Sequence, residues 1–86
     1  MHEAEKQTPT SSWMRISPAA RAAGVSNQTI EYYIMLGLIT PLRRSGERGR
    51  FFDDSIVKRI KLIRKLNDSG YTLRDIREIY LKRKPC

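Results

Sequence analysis

The chain has 86 residues and a formal net charge of +8, from 17 basic and 9 acidic side chains. This length suits one domain, close to the lower limit for a self-supporting core. The longest apolar run, residues 34–39, is far shorter than the roughly 20 residues that a membrane-spanning helix needs. The basic excess favours a nucleic-acid partner. Contact with a membrane surface or a ribosome, and mere solubility, are the competing explanations.

The two ends of the chain are expected to contribute little to the fold. Residues 1–12 have no apolar period and contain Pro, Ser and Thr, so we expect a disordered tail without a signal-peptide pattern. Trp13 is among the first residues able to pack, and the folded domain is expected over residues 13–86. The single cysteine, Cys86, cannot form an internal disulfide, which favours a reducing, cytoplasmic compartment.

Residues 17–38 predict two short helices joined by a tight turn. Ser17 is a suitable N-cap for the first helix, and Gly24 ends it because glycine accepts a positive φ without strain. Ser26 caps a second helix that is predicted to run to about Leu36. Two short helices around a glycine-containing turn form a helix-turn-helix, whose second helix reads DNA.

The second helix has one face for a core and one for solvent. Ile30, Tyr33 and Ile34 recur at the i, i+3, i+4 spacing that faces a core. The opposite face begins with amide and hydroxyl side chains, which can reach base edges or phosphates. An ordinary solvated face is the alternative, and the helix-turn-helix context favours DNA. The candidate contacts on this helix are Ser26, Asn27, Gln28, Thr29, Glu31 and Tyr32.

The segment LRRSGERGRFF, residues 42–52, predicts a β-hairpin with Gly46 in its turn, which would form a small wing. The planar fork of arginine suits a loop that grips phosphates. A disordered basic loop and an anion site without DNA are the alternatives. Phe51 and Phe52 would alternate sides in a strand, so only one of them need be buried. The candidate phosphate contacts are Arg43, Arg44, Arg48 and Arg50.

Two more helices are predicted after this segment, and most of their residues are expected to be scaffold. Asp53 caps a third helix over residues 54 to about 69, whose apolar residues have a period near 3.6. Thr72 and Asp75 form a capping box that starts a fourth helix. The predicted buried stripe of that helix is Leu73, Ile76 and Ile79.

The expected fold is therefore mainly α, a winged helix-turn-helix of four helices with a small β-hairpin wing. Its most characteristic residues are Ile16, Ala20, Gly24-Val25-Ser26, Thr29-Ile30, Tyr32-Tyr33, Leu36-Gly37-Leu38-Ile39, Pro41, Arg43, Arg50-Phe51-Phe52, Val57, Ile63, Leu66, Gly70-Tyr71, Leu73 and Ile76-Arg77-Glu78. In order and spacing these resemble the DNA-binding domain of the MerR family of bacterial transcription regulators over residues 14 to about 81. The wing, GERGRFF, is most similar to those of the heat-shock and nitrogen-control repressor branches.

The resemblance implies that the second helix enters the major groove while Arg50 and its neighbours grip the backbone. It implies a second backbone approach around residues 67–72, a DNA-facing Tyr32 and a core Tyr33. Double-stranded DNA is the implied partner, with RNA polymerase and a second copy of the chain on DNA as further expected partners. No cofactor and no membrane partner are expected, and the implied location is the nucleoid in the cytoplasm.

The sequence departs from the family pattern at three places. Glu31 stands where the family usually has arginine, and a carboxylate near phosphates is repulsive unless it accepts from a cytosine amino group. Glu31 is therefore expected to alter sequence preference or to weaken binding. Ile34 and Met35 replace positions that are usually charged, and Met35 is either an exposed apolar residue or a partner contact. The chain also stops after the fourth helix, so we expect a fragment or a small regulator that dimerises otherwise or binds as a monomer.

The leading hypothesis is a sequence-specific DNA-binding module of a transcription regulator, without an effector domain. An excisionase-like factor that bends DNA, and a protein–protein adaptor on the same scaffold, are the alternatives. No enzyme is expected, because the chain has no Ser/His/Asp or Cys/His set and no phosphate loop, and His2 lies in the tail. No metal site is expected, because Cys86 has no second ligand nearby; a site shared across a dimer is the minor alternative.

Overall fold

The computed structural model describes residues 12–81, without the side chains of residues 80 and 81. The helices are α1 (Ile16–Ala23), α2 (Asn27–Met35), α3 (Asp54–Asp68) and α4 (Leu73–Asp75), and a π-helical segment, Ile76–Leu81, continues α4. None of these described helices has the length and apolar character that crossing a bilayer requires. The predictions for residues 1–11 and for Cys86 lie outside the described residues.

Helix α1 begins earlier than predicted. Its N-cap is Arg15, not Ser17, and no side chain caps it. The backbones of Met14 and Phe52 exchange two hydrogen bonds of 2.8 Å, which keep the chain extended until the helix starts. The hydroxyl of Ser17 instead accepts a hydrogen bond of 3.0 Å from the side-chain amide of Asn27 on α2.

The predicted caps of α2 and α3 are confirmed. The Ser26 hydroxyl accepts from the Thr29 N–H at 3.1 Å, and the Asp53 carboxylate accepts from the Ile56 N–H at 2.9 Å. Each bond satisfies one of the amide groups that a helix N-terminus leaves unpaired. Both helices end within one residue of the predicted position.

Helix α1 packs against α2 and α3 through small side chains. Ala19, Ala20 and Ala23 are buried, and a methyl side chain allows two helix axes to approach closely. The core residues that α3 contributes are Ile56, Val57, Ile60 and Ile63. Leu62 shared the apolar period of α3 and is nevertheless 47% exposed. On α2, Ile30 and Tyr33 are buried as predicted, and Ile34 is half-buried.

Two basic residues of α3 tie the helix-turn-helix to the core. The Arg64 side chain donates to the carbonyl of Gly24, in the turn between α1 and α2. Arg59 donates from Nε to the carbonyl of Leu38, just beyond α2, at 3.0 Å. Helix α3 therefore supports both ends of the region that contains α2.

The predicted β-hairpin wing is wrong, because no strand forms within residues 12–81. Residues 43–50 form a loop, here called the arginine loop, closed by one antiparallel backbone pair between Leu42 and Phe51. The two hydrogen bonds of this pair measure 2.8 and 2.9 Å. Gly46 lies in a turn as predicted, with a φ of 81°, and Gly49 has a φ of 94°. Gly46 belongs to the turn, whereas the positive φ of Gly49 takes the chain out of the β region close to the Leu42–Phe51 pair and interrupts the strand conformation there.

The structure buries both Phe51 and Phe52. Phe52 lies in the main core, whereas Phe51 lies beneath the arginine loop. The ring of Trp13 covers Phe51 with its centroid 6.3 Å away, and the guanidiniums of Arg15 and Arg44 lie 4.3 and 4.4 Å from the Phe51 centroid. The residues just before α1 therefore build a second small cluster.

The predicted stripe of the fourth helix forms only in part. The capping box is present, since the Asp75 N–H donates to the Thr72 hydroxyl at 3.0 Å and Asp75 accepts from the Thr72 N–H at 3.4 Å. Ile76 is fully buried and Leu73 half-buried, but Ile79 is 53% exposed. The winding becomes π-helical at Ile76, and a wider turn carries the residue three positions later away from the α-helical face.

Substituting alanine for Ile76 and, separately, for Ile79 is expected to have very different effects on unfolding. Ile76→Ala should lower the free energy of unfolding by about 2–5 kcal/mol, because it leaves a cavity in the core. Ile79→Ala should change it by less than about 0.5 kcal/mol, because that side chain is exposed. Urea unfolding followed by circular dichroism measures both. Equal losses would contradict the described winding of this segment.

Candidate nucleic-acid interface

The outward face of α2 is exposed, as predicted from its amphipathic pattern. Its side chains line an open groove of about 670 Å³ that includes Gln28, Tyr32 and Met35. Tyr32 is 47% exposed and Met35 71% exposed. Gln28 and Tyr32 thus present an amide and a phenol to an open groove.

The other polar residues at the start of α2 already have partners within the chain. Ser26 caps the helix and also shares a 3.0 Å hydrogen bond between its hydroxyl and that of Thr29. Asn27 donates to Ser17, which leaves its amide oxygen and its second N–H. These three residues stabilise the turn and the start of α2, so a ligand could bind only the polar groups that these hydrogen bonds leave unused.

Glu31 and Arg50, both candidate DNA contacts, are bound to each other. The Arg50 Nη1 and Nη2 atoms donate to the two carboxylate oxygens of Glu31 at 3.0 and 2.7 Å. Both hydrogen bonds, and to a smaller degree the positive charge of Arg50, hold the pKa of Glu31 below its usual range. This bidentate pair joins the outward face of α2 to the end of the arginine loop.

Two of the predicted loop arginines, Arg43 and Arg48, are exposed to solvent. Arg43 is exposed and donates to the carbonyl of Gly49 across the loop at 3.4 Å. Arg48 is exposed, and its side chain has no ion pair with another residue of the described part of the chain. Arg43 and Arg48 therefore keep most of their N–H donors for an external anion.

Arg44 is instead packed into the loop. Its guanidinium lies over the rings of Phe51 and Trp13, and its Nη1 is 3.4 Å from a carboxylate oxygen of Glu47. Arg15 lies over the same Phe51 ring, donates to the Arg48 carbonyl at 3.1 Å and is 3.8 Å from Glu47. One phenylalanine ring and one carboxylate thus bind two guanidiniums and shape the loop.

A second groove, of about 590 Å³, adjoins the first. Tyr32 lines both, and the second also contains Asn67, Arg74 and Arg77. The side chain of Asn67 donates to the Tyr71 carbonyl at 2.6 Å and so closes the connection between α3 and α4. The region around residues 67–72 therefore lies beside α2, and its approach to a DNA backbone stays a prediction.

The pattern of the MerR HTH family of regulatory proteins matches residues 14–82. This chain belongs to the MerR family. It is 35% identical over 66 residues to the HTH-type transcriptional regulator HmrR of Sinorhizobium medicae, covering 77% of this chain and 45% of that protein. It is 39% identical over 64 residues to the HTH-type transcriptional regulator CueR of Bacillus subtilis, covering 74% and 44%. It is 36% identical over 62 residues to the mercuric resistance operon regulatory protein of Bacillus cereus, covering 72% and 47%.

Family membership confirms the resemblance inferred from the ordered motifs. The chain spans less than half the length of these MerR relatives. The matched part contains α1, α2, the arginine loop and α3–α4, which is the whole of the described fold. The likeness therefore rests on the region that contains the candidate interface.

Sequence reasoning missed the role of Arg15 in this MerR domain. Arg15 precedes α1 and lies 33 residues from the Arg48 carbonyl that it binds, so no local pattern connects them. Arg77 was named only as part of the family resemblance, and Arg74 was not singled out. The one sequence feature that could have indicated this role was a basic residue two positions after Trp13, in a segment expected to pack.

Replacing Arg50 by Gln is expected to raise the pKa of Glu31 towards its usual 4.5, because the hydrogen bonds that lower it are lost. With the lowered value, the pair stabilises the fold above pH 4.5 and loses this contribution as pH falls through the folded-state pKa. NMR titration of the Glu31 carboxyl measures the difference. Lys58→Gln, a charge loss on α3, is the control and should leave this pKa unchanged. The same Glu31 pKa with and without Arg50 would contradict the pair.

Gly49→Ala is expected to destabilise the chain more than Gly46→Ala. Both positions have a positive φ, which costs an L side chain about 1–2 kcal/mol. A Cβ at position 49 would also lie 2.5 Å from Nη1 of Arg15, whereas one at position 46 would meet no described atom within 4 Å. Denaturant midpoints give the stability difference, and emission from the single tryptophan, Trp13, reports the packing at Phe51. Equal stabilities would show that Arg15 does not constrain the loop.

Proposed function

We propose that this chain is the duplex-reading module of a MerR-type transcription regulator and binds double-stranded DNA in a sequence-specific manner. The observation that supports this best is the Glu31–Arg50 pair, which joins α2 and the arginine loop. A helix of this diameter fits the major groove, while a loop beside it reaches the flanking backbone. Membership of a family of DNA-binding regulators supports the same conclusion.

The proposed base contacts lie on the exposed face of α2. Gln28 can donate to and accept from an adenine edge, and the Tyr32 ring can pack against a thymine methyl group while its hydroxyl reaches a phosphate. Ser26, Asn27 and Thr29 lie at the N-terminus of α2, where the helix dipole favours a phosphate.

The proposed phosphate contacts surround this face. Arg43 and Arg48 extend the surface on the loop side, with Arg44 as a partly covered contact and Arg50 at the junction with α2. Arg74 and Arg77 line the second groove next to Tyr32 and support a further backbone contact. The arrangement supplies binding and no chemistry of its own, so we propose a regulator and not an enzyme.

Further partners are proposed on the same basis. A second copy of the chain on a two-fold symmetric operator, and RNA polymerase at the promoter, suit a helix-turn-helix regulator. Such a role belongs to the nucleoid in the cytoplasm. The likeness of the arginine loop to the heat-shock and nitrogen-control branches stays a prediction. We propose no metal effector for this chain, because the words "mercuric resistance" in the name of one relative describe that protein only.

A titration of the chain against a duplex library at several salt concentrations tests the proposal. A preferred half-site is expected, with affinity falling steeply as salt rises. Gln28→Ala should reduce the discrimination between bases at one position of the site by about 1–3 kcal/mol. Arg48→Gln should weaken binding to all sequences and reduce the magnitude of the salt slope by about 0.9.

Lys58→Gln is the matched control, because it removes one charge from α3 outside the proposed surface. Equal effects of Lys58→Gln and Arg48→Gln would mean that only net charge matters. Uniform weak binding with strong bending would favour an architectural factor. Full loss of DNA binding together with capture of a protein partner through Met35, 71% exposed in the first groove, would favour an adaptor.

A further inference from the structure

We propose that Glu31 limits the DNA affinity of this chain by occupying the guanidinium of Arg50 at the binding surface. This inference rests on the proposed function and concerns the same surface. It assigns to Glu31 the role of an internal competitor for phosphate and not that of a base-reading residue.

The geometry of the pair supports the proposal. Arginine binds a phosphate best through two parallel N–H groups, and a carboxylate uses the same fork. Arg50 already gives one donor from Nη1 and one from Nη2 to Glu31, at 3.0 and 2.7 Å. Its side chain is only 31% exposed, against 51% for Glu31. Three N–H groups of Arg50 remain. A phosphate must therefore displace the carboxylate from this edge or bind beside it, where the negative charge of Glu31 opposes binding.

The charge distribution points in the same direction. Glu31 is the acidic residue among those that line the groove on α2. The pair has a net charge of zero, so Arg50 adds no net positive charge at the junction of helix and loop. The other acidic residue nearby, Glu47, lies between Arg15 and Arg44 and organises the loop itself. Glu31 is thus the carboxylate whose neutralisation leaves the loop cluster intact.

The test compares salt titrations of four proteins on one duplex library. These are the wild-type chain, Glu31→Gln, the double variant Glu31→Gln/Arg50→Gln, and Asp54→Asn. Glutamine has nearly the helix propensity of glutamate, and residue 31 is exposed, so the variant should fold; circular dichroism verifies this. Asp54→Asn is the matched control, because it removes an exposed acidic partner of a basic residue, Lys58, on α3.

Glu31→Gln is expected to bind every duplex about threefold to tenfold more tightly at low salt, since Arg50 is freed for one more phosphate. Its salt slope should become more negative by about 0.9. Adding Arg50→Gln should return affinity and slope close to the wild-type values. Asp54→Asn should remain within about twofold of wild type.

Three results would overturn the proposal. A gain for Glu31→Gln no larger than that for Asp54→Asn would mean that only net charge acts. A gain that persists in the double variant would mean that Glu31 acts without Arg50. A loss confined to duplexes with cytosine at one position would make Glu31 a base reader. If neither the wild-type chain nor Glu31→Gln bound any duplex, the proposed function itself would fail. If the wild-type chain bound DNA and one of the three results above were found, only the role assigned to Glu31 would fail.

Discussion

The carboxylate of Glu31 and the guanidinium of Arg50 lie 19 residues apart in the chain and are held together by two hydrogen bonds. This contact holds the end of the arginine loop against α2. The backbone pair between Leu42 and Phe51 closes the base of the loop but does not connect it to α2. An exposed ion pair adds little to stability by itself. Its importance lies in position, because the relative placement of helix and loop defines the surface that a duplex would meet.

The loop obtains its shape from side chains and not from a β-ladder. Arg15 and Arg44 lie against Phe51, and Glu47 is near both guanidiniums. Stacking on an aromatic ring does not neutralise a guanidinium, so residues that support the loop also keep a positive charge there. The guanidinium groups can thus serve both the shape of the loop and the binding of an anion, so these arginines cannot be divided into structural residues and contact residues.

Local signals explain which predictions succeeded. The caps at Ser26, Asp53 and Thr72 are each decided within four residues, and α2 and α3 end within one residue of the predicted positions. The loop conformation depends on Arg15, far away in sequence, and a glycine- and arginine-rich pattern could not distinguish a hairpin from a side-chain-supported loop. The exposure of Ile79 depends on a change of winding that apolar periodicity does not reveal. The candidate site was found as a set of residues, but the mutual binding of two of its members was not.

The guanidinium of Arg15 lies where a side chain at position 49 would extend, with Nη1 2.5 Å from a Cβ built there. Because an arginine side chain is flexible, it can move away, whereas the φ of 94° disfavours any L side chain at this position. A side chain at position 49 would therefore do more than strain its own backbone. It would push Arg15 off the Arg48 carbonyl and the Phe51 ring, so a change near the end of the loop would be felt at the residue that precedes α1.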